Sequence, residues 1–82
     1  MIINMYSVHD AYAEKWQAPM PLINDAVALR HLRQLVRGMS ADDAKSLSIY
    51  RVGRFDDDTG SLEILAKPVE VVVPSSLNVA GV

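Results

Sequence analysis

Three arginines recur along one side of a predicted helix. Arg30, Arg33 and Arg37 are three and four residues apart, so a helix places them on one face as a basic ridge. Arginines at this pitch can contact successive phosphates of a nucleic-acid backbone. The pattern is also typical of a solvated helix face whose arginines cap carbonyl groups and pair with acids such as Asp42 and Glu63. Charge patterning alone leaves both interpretations open.

Two arginines and two aromatic residues of a predicted β-hairpin could extend this surface. Arg51 and Arg54 would add positive charge, and bases can stack on the rings of Tyr50 and Phe55. Trp16 is a further candidate for stacking, but the sequence does not decide whether it belongs to the core. The predicted nucleic-acid-binding residues are Arg30, Arg33, Arg37, Arg51, Arg54, Tyr50 and Phe55.

The acidic run Asp56, Asp57, Asp58, followed by Gly60, resembles a fragment of a calcium-binding loop. A complete loop needs a glycine at its sixth position and a bidentate glutamate at its twelfth, and neither is present here. Aspartate and glycine are also the residues that tight turns prefer. The run is therefore predicted to be a plain turn, and we expect no metal site.

Catalytic residue sets are not apparent. Ser7, His9 and Asp10 adjoin in sequence, but no nucleophile elbow or oxyanion pattern surrounds them. His9 and His31 lack the spaced ligands of a zinc site, and the four glycines are too isolated for a phosphate-binding loop. We expect neither enzyme activity nor a cofactor.

Length and composition indicate one small globular domain. The chain has 82 residues, half of them hydrophobic, and no cysteine, which excludes disulfides and thiolate chemistry. Its net charge of −2 means that a nucleic-acid role would have to rest on a local basic patch. A domain of this size is marginally stable alone, so we expect a homo-oligomer. No apolar run is long enough to span a membrane, and no membrane partner is expected.

Periodicity predicts the elements of the first half. Residues 1–9 indicate a strand that is buried on both sides or central in the sheet. A short second strand could include Trp16, and residues 17–23, with two prolines, are interpreted as an extended surface connection. Asn24 is a good N-cap for a helix that runs from residue 25 to about residue 38.

The second half of the chain begins with a polar connection in which Ser40 could cap one helical turn. A β-hairpin is predicted over residues 48–65. Gly53 within the first strand indicates a β-bulge or a close backbone approach, and a bulge would shift the inside-outside phase of the strand. Residues 69–73 indicate a further short strand, and residues 75–82 a flexible tail. The predicted fold is α+β over residues 1–74: one helix on a small, mainly antiparallel sheet with a prominent hairpin in its carboxy-terminal half.

Three stretches resemble one family when they are taken together. Residues 5–10 (MYSVHD), 24–30 (NDAVALR) and 48–60 (SIYRVGRFDDDTG) are similar, in order and spacing, to motifs of a small nonstructural protein of gokushovirus-type microviruses. These phages carry circular single-stranded DNA. The resemblance implies a non-enzymatic DNA-binding protein of the host cytoplasm that acts in single-stranded DNA production and packaging. It would bind single-stranded DNA itself or the phage replication machinery.

A competing hypothesis assigns the chain no contact with nucleic acid. The apolar strands predicted at residues 1–8 and 69–73 would then be unsatisfied sheet edges. Such edges can pair between subunits or with another phage protein, such as a replication or capsid protein. The acidic net charge is compatible with this oligomeric interaction module.

Overall fold

The computed structural model of the chain describes residues 1–72. These residues form a five-stranded sheet and two helices. In chain order the elements are β1 (Ile2–Asp10), β2 (Lys15–Trp16), β3 (Met20–Leu22), α1 (Asp25–Leu35), α2 (Ala41–Lys45), β4 (Leu47–Asp56) and β5 (Leu62–Glu70). Helix α1 packs on the sheet, and β4 and β5 form a hairpin, which confirms the predicted α+β fold. The tail predicted for residues 75–82 lies outside the described residues.

Strand β1 is the centre of the sheet, as its two-sided apolar pattern predicts. It pairs with β4 along one side and with β2 and then β3 on the other, and β5 is added outside β4. All of these pairings are antiparallel. Tyr6, Ser7 and Val8, in the middle of β1, are buried.

The connection predicted for residues 17–23 is partly wrong, because Met20–Leu22 is strand β3. Pro21 lies opposite Met5 in this pairing. Its missing N–H group is tolerated because β3 is an edge strand, whose outer side needs no ladder partner. Strand β2 has two residues and follows a turn at residues 11–14, in which the Asp10 carboxylate accepts hydrogen bonds from the amides of Tyr12 (3.0 Å) and Ala13 (3.2 Å).

The bulge predicted at Gly53 is confirmed. Tyr6 pairs with Arg51 whereas Met5 pairs with Gly53, so Val52 is the extra residue in β4. The close approach is present as well. A Cβ atom on Gly53 would lie 2.6 Å from the backbone oxygen of Glu63.

Strand β5 remains extended through Lys67 and Pro68, which lie between the predicted hairpin and the separate strand predicted at residues 69–73. Its pairing with β4 is nevertheless interrupted there, because Ile64 pairs with Gly53 and the next paired residue is Val69, opposite Arg51. The strand predicted at residues 69–73 is therefore not a separate element. Its first two residues, Val69 and Glu70, are the end of β5. Proline interrupts the ladder by removing a donor without ending the extended backbone.

Helix α1 begins at the predicted cap, where the Asn24 side chain accepts a hydrogen bond from the amide of Val27 (2.9 Å). It ends at Leu35, and a turn follows to Gly38, which has a φ of +85°. Helix α2 is capped by Ser40 as predicted. The buried apolar core contains Tyr6, Val8, Ala28, Ile49 and Val71.

A polar contact joins the start of α1 to the central strand. The Tyr6 hydroxyl donates a hydrogen bond of 2.6 Å to the Asp25 carboxylate, which also lies 3.7 Å from the Arg51 guanidinium. Burial, and then this hydrogen bond, raises the pKa of Tyr6 to about 12. Because the folded protein holds the phenolic proton more tightly than the unfolded chain, this contribution to stability is complete below pH 10 and is lost as the pH rises towards 12.

The first prediction concerns this contact. Tyr6→Phe should lower the free energy of unfolding by about 1–2 kcal/mol at pH 7, since it removes a partly buried hydrogen bond to a carboxylate. The difference from the unsubstituted protein should shrink between pH 10 and pH 12, and urea denaturation across this range would measure it. Tyr12→Phe, at an exposed tyrosine, is the control. A Tyr6→Phe difference that is constant with pH would contradict the prediction.

The second prediction compares two glycines of the hairpin. Gly53→Ala places a Cβ against the Glu63 backbone, whereas Gly60→Ala meets no atom within 4 Å and is strained only by a φ of +75°. Gly60→Ala should cost about 1–2 kcal/mol for its left-handed backbone. Gly53→Ala should cost more than this, because β4 and β5 must separate. Denaturation midpoints showing Gly60→Ala as the more destabilising change would exclude the explanation.

Candidate functional site

Within residues 1–72, helix α1 packs on one face of the sheet and not on the other. Tyr6, Val8 and Ile49 point to the core beneath α1. Because side chains alternate along a strand, their neighbours Ser7 and Tyr50 point to the opposite side. We call this side the open face. It is the site of the aromatic group described next.

Three rings meet on the open face and form what we call the aromatic cluster: His9, Trp16 and Tyr50. The Trp16 ring lies 4.6 Å from His9 and 4.9 Å from Tyr50, measured between ring centroids, in tilted and edge-on arrangements. His9 and Tyr50 are 6.4 Å apart. Trp16 retains 46% of its exposure, so its ring is held by neighbours and still accessible to a ligand.

The chain positions Trp16 through a short hairpin between β1 and β2. His9 lies directly opposite Trp16 in this pairing. Just beyond it, the Gln17 amide donates to the carbonyl oxygen of Val8 (2.9 Å), and the Ser7 hydroxyl donates to the Gln17 carbonyl oxygen (2.6 Å). These two hydrogen bonds fasten the segment after Trp16 to the central strand. The indole is therefore fixed by backbone contacts and not only by stacking.

Away from the aromatic cluster, the open face is apolar. Ile3, Phe55 and Leu62 are successive partners across β1, β4 and β5. A groove of about 350 Å³ runs beside them. Its lining residues are Met5, Pro19, Val52, Gly53, Leu62, Glu63 and Ile64. The open face thus has the aromatic cluster at one end and apolar side chains, including Phe55, at the other.

The predicted basic ridge lies elsewhere. Arg30, Arg33 and Arg37 are exposed on α1 and the turn that follows it, and α1 covers the opposite face of the sheet. Within residues 1–72, none of the three forms an ion pair, although the competing interpretation expected acidic partners for them. The ridge is therefore accessible, and whether it binds phosphate stays a prediction.

Arg51 and Arg54 lie on the α1 side of the sheet and are paired with acids. Arg51 is near Asp25, and Arg54 is hydrogen-bonded to Glu63 on β5. Their guanidinium groups would have to leave these partners, or share them, to contact a phosphate. They are less available than the arginines of the ridge.

The structure therefore distributes the seven predicted residues over three surfaces. The ridge is on α1 and the turn after it, the two β4 arginines are on the covered side of the sheet, and Tyr50 and Phe55 share the open face. Tyr50 joins Trp16, which was left undecided from sequence, and His9, which was not predicted. The four-residue turn at 11–14 lies between Asp10 and Lys15, and His9 and Trp16 form the next pair outward. This turn was the available signal that the two rings lie opposite each other.

The acidic hairpin turn holds the amino terminus. The Met1 ammonium lies 2.7 Å from Asp58, 2.9 Å from Asp57 and 3.8 Å from Asp56. Hydrogen bonds to Asp58 and Asp57 raise the pKa of this ammonium. Gly60, with a φ of +75°, closes the turn by donating its amide to the Asp56 carbonyl oxygen (2.8 Å). The carboxylates have a role within the fold, as expected of a turn.

Fold and site together define a small α+β protein with a single sheet and an exposed aromatic cluster on its open face. Neither helix of residues 1–72 is long and apolar enough to cross a membrane. The family model described as Phage ORF5 protein matches residues 3–78, so the chain belongs to this family and is a phage protein. No curated protein and no solved structure matches it, and the assignment rests on the family model.

Proposed function

We propose that this phage accessory protein binds single-stranded DNA by stacking bases on the aromatic cluster. The observation that supports this most directly is the half-exposed Trp16 ring, held between His9 and Tyr50 on the open face. Aromatic side chains on an open sheet face are a common platform for unpaired bases, since every base has a π-face that can stack. Duplex DNA, with its bases already stacked, cannot use such a platform.

The biological setting follows from the resemblance to microvirus nonstructural proteins. In that setting the protein would act in the host cytoplasm during single-stranded DNA production and packaging. Replication or capsid proteins of the phage are then its natural partners. The motif similarity at residues 5–10, 24–30 and 48–60 supports this assignment.

The ridge of Arg30, Arg33 and Arg37 is proposed as a separate electrostatic contact. It and the aromatic cluster lie on opposite sides of the sheet, so a short strand bound at the cluster would not reach both. The salt dependence of binding distinguishes the two contacts. Stacking is nearly insensitive to salt, whereas each phosphate contact on a single strand contributes about −0.7 to the slope of log K against log salt.

The third prediction tests the cluster. Trp16→Ala should weaken binding of a short mixed-sequence single-stranded oligonucleotide about tenfold, since one stacked base is worth about 1–3 kcal/mol. Fluorescence anisotropy would measure the change. Tyr12→Ala is the matched control, because Tyr12 is an exposed aromatic residue of the same hairpin outside the cluster. Equal affinity for Trp16→Ala and Tyr12→Ala would overturn the stacking proposal.

The fourth prediction tests the ridge. Replacing Arg30, Arg33 and Arg37 together by glutamine should reduce the affinity for a longer oligonucleotide at about 50 mM salt. The affinity is compared with that at about 200 mM salt. The salt slope should become shallower by about 2 if all three arginines contact phosphates. Anisotropy titrations at both salt concentrations supply the slope. An unchanged affinity and slope would leave the ridge as a solvated helix face.

A second candidate function is supported by exposed aliphatic side chains. Ile23, Leu62 and Ile64 are largely exposed, and the buried apolar core is small. Isolated apolar residues on a surface are ordinary, but Leu62 and Ile64 adjoin the apolar groove of the open face. These features favour a protein that associates with another chain. Light scattering over a dilution series that shows only monomers would argue against self-association.

A further inference from the structure

Strand β5 offers the more accessible edge of the sheet. On the side away from β4 it has no strand partner within residues 1–72. The opposite edge is interrupted, because β2 has two residues and β3 contains Pro21. Proline on an edge prevents further strands from adding. Residues 62–67 are therefore the longest proline-free stretch of free edge that the described chain presents.

The backbone of this stretch has a defined orientation. Ser61 accepts a hydrogen bond from the Asp56 amide (2.9 Å), and the Glu63 carbonyl oxygen lies against Gly53. Ser61 and Glu63 thus direct their polar groups to β4. Since adjacent residues of a strand alternate in this respect, Leu62 and Ile64 direct their N–H and C=O groups to the free edge.

The same two residues carry exposed apolar side chains. Leu62 is 59% and Ile64 is 79% exposed, and both line the groove on the open face. A strand added at this edge would satisfy their backbone groups and would cover their side chains at the same time. The edge therefore combines directional hydrogen bonding with apolar contact.

We propose that the occupant of this edge is a second copy of the chain, with the two β5 strands paired antiparallel about a two-fold axis at Ile64. When a strand pairs antiparallel with the same strand of a second copy, the N–H groups of each copy face C=O groups of the other. This self-complementarity is the property of a two-fold interface. This proposal is independent of DNA binding and deepens the second candidate function. It joins two open faces into one continuous surface.

Charge selects the register. A two-fold axis at Glu63 would also match the hydrogen-bonding residues, but it places two carboxylates directly opposite each other, which is destabilising. An axis at Ile64 pairs the two isoleucines and sets Leu62 opposite the small side chain of Ala66. It also brings Lys67 opposite Ser61, beside the acidic turn of the second copy. Pro68 then ends the pairing.

The fifth prediction measures assembly without DNA. The protein should be a dimer at micromolar concentration in sedimentation and light-scattering experiments, and Ile64→Lys should shift it to a monomer. Ile23→Lys is the matched control, since Ile23 is 83% exposed and precedes α1, away from β5. A monomeric unsubstituted protein, or a dimer that survives Ile64→Lys, would overturn the proposal.

Cross-linking tests the register even if the lysine variant folds poorly. The chain has no cysteine, so Ile64→Cys introduces a single thiol. At a hydrogen-bonded two-fold pair the Cα atoms are about 5.5 Å apart, within disulfide range, and oxidation should give a covalent dimer. Ile23→Cys should cross-link far more slowly. Preferential cross-linking of Glu63→Cys over Ile64→Cys would overturn the proposed register.

The two proposals fail separately. Trp16→Ala should remain dimeric while losing affinity for DNA, and folded Ile64→Lys should keep an intact aromatic cluster in each monomer. Loss of assembly in Trp16→Ala would contradict the assignment of the interface to β5.

Discussion

The bulge at Val52 determines which side chains share a surface. Before it, Ile49 and Arg51 face α1 and Tyr50 faces away. The extra residue shifts the phase, so Arg54 pairs with Asn4 and Phe55 pairs with Ile3. Tyr50 and Phe55, five positions apart in sequence, consequently lie on the same open face. Without the bulge, regular alternation would place them on opposite faces.

Gly53 makes this arrangement possible because β5 approaches β4 closely at the bulge. The Glu63 carbonyl oxygen occupies the space that any Cβ would need. The same approach holds Glu63 near Arg54 and sets the outward orientation of Ile64. The absence of a side chain at Gly53 therefore affects three features. These are the inside-outside phase of β4, the Arg54–Glu63 ion pair on the covered side, and the hydrogen-bonding pattern of the outer edge of β5.

The separation of charge and aromatic surface limits how this phage protein can act. Its ridge arginines, which form no ion pair within residues 1–72, are on α1 and the turn after it, and its exposed rings are on the other side of the sheet. Stacking and phosphate contact would therefore involve different parts of a long strand or different subunits. A two-fold assembly would supply two aromatic clusters, so that a weak contact in each could add to a useful affinity.

Local sequence determined much of the fold. Asn24 and Ser40 cap helices, Gly60 closes the turn, and Gly53 marks the bulge, because each property depends on neighbouring residues. The tertiary structure alone decided that Met20–Leu22 would pair with β1 and that Tyr50 would join His9 and Trp16. It also divided the predicted contact residues among three surfaces. Strand pairing brings distant residues together, and local propensity carries no information on which strands become neighbours.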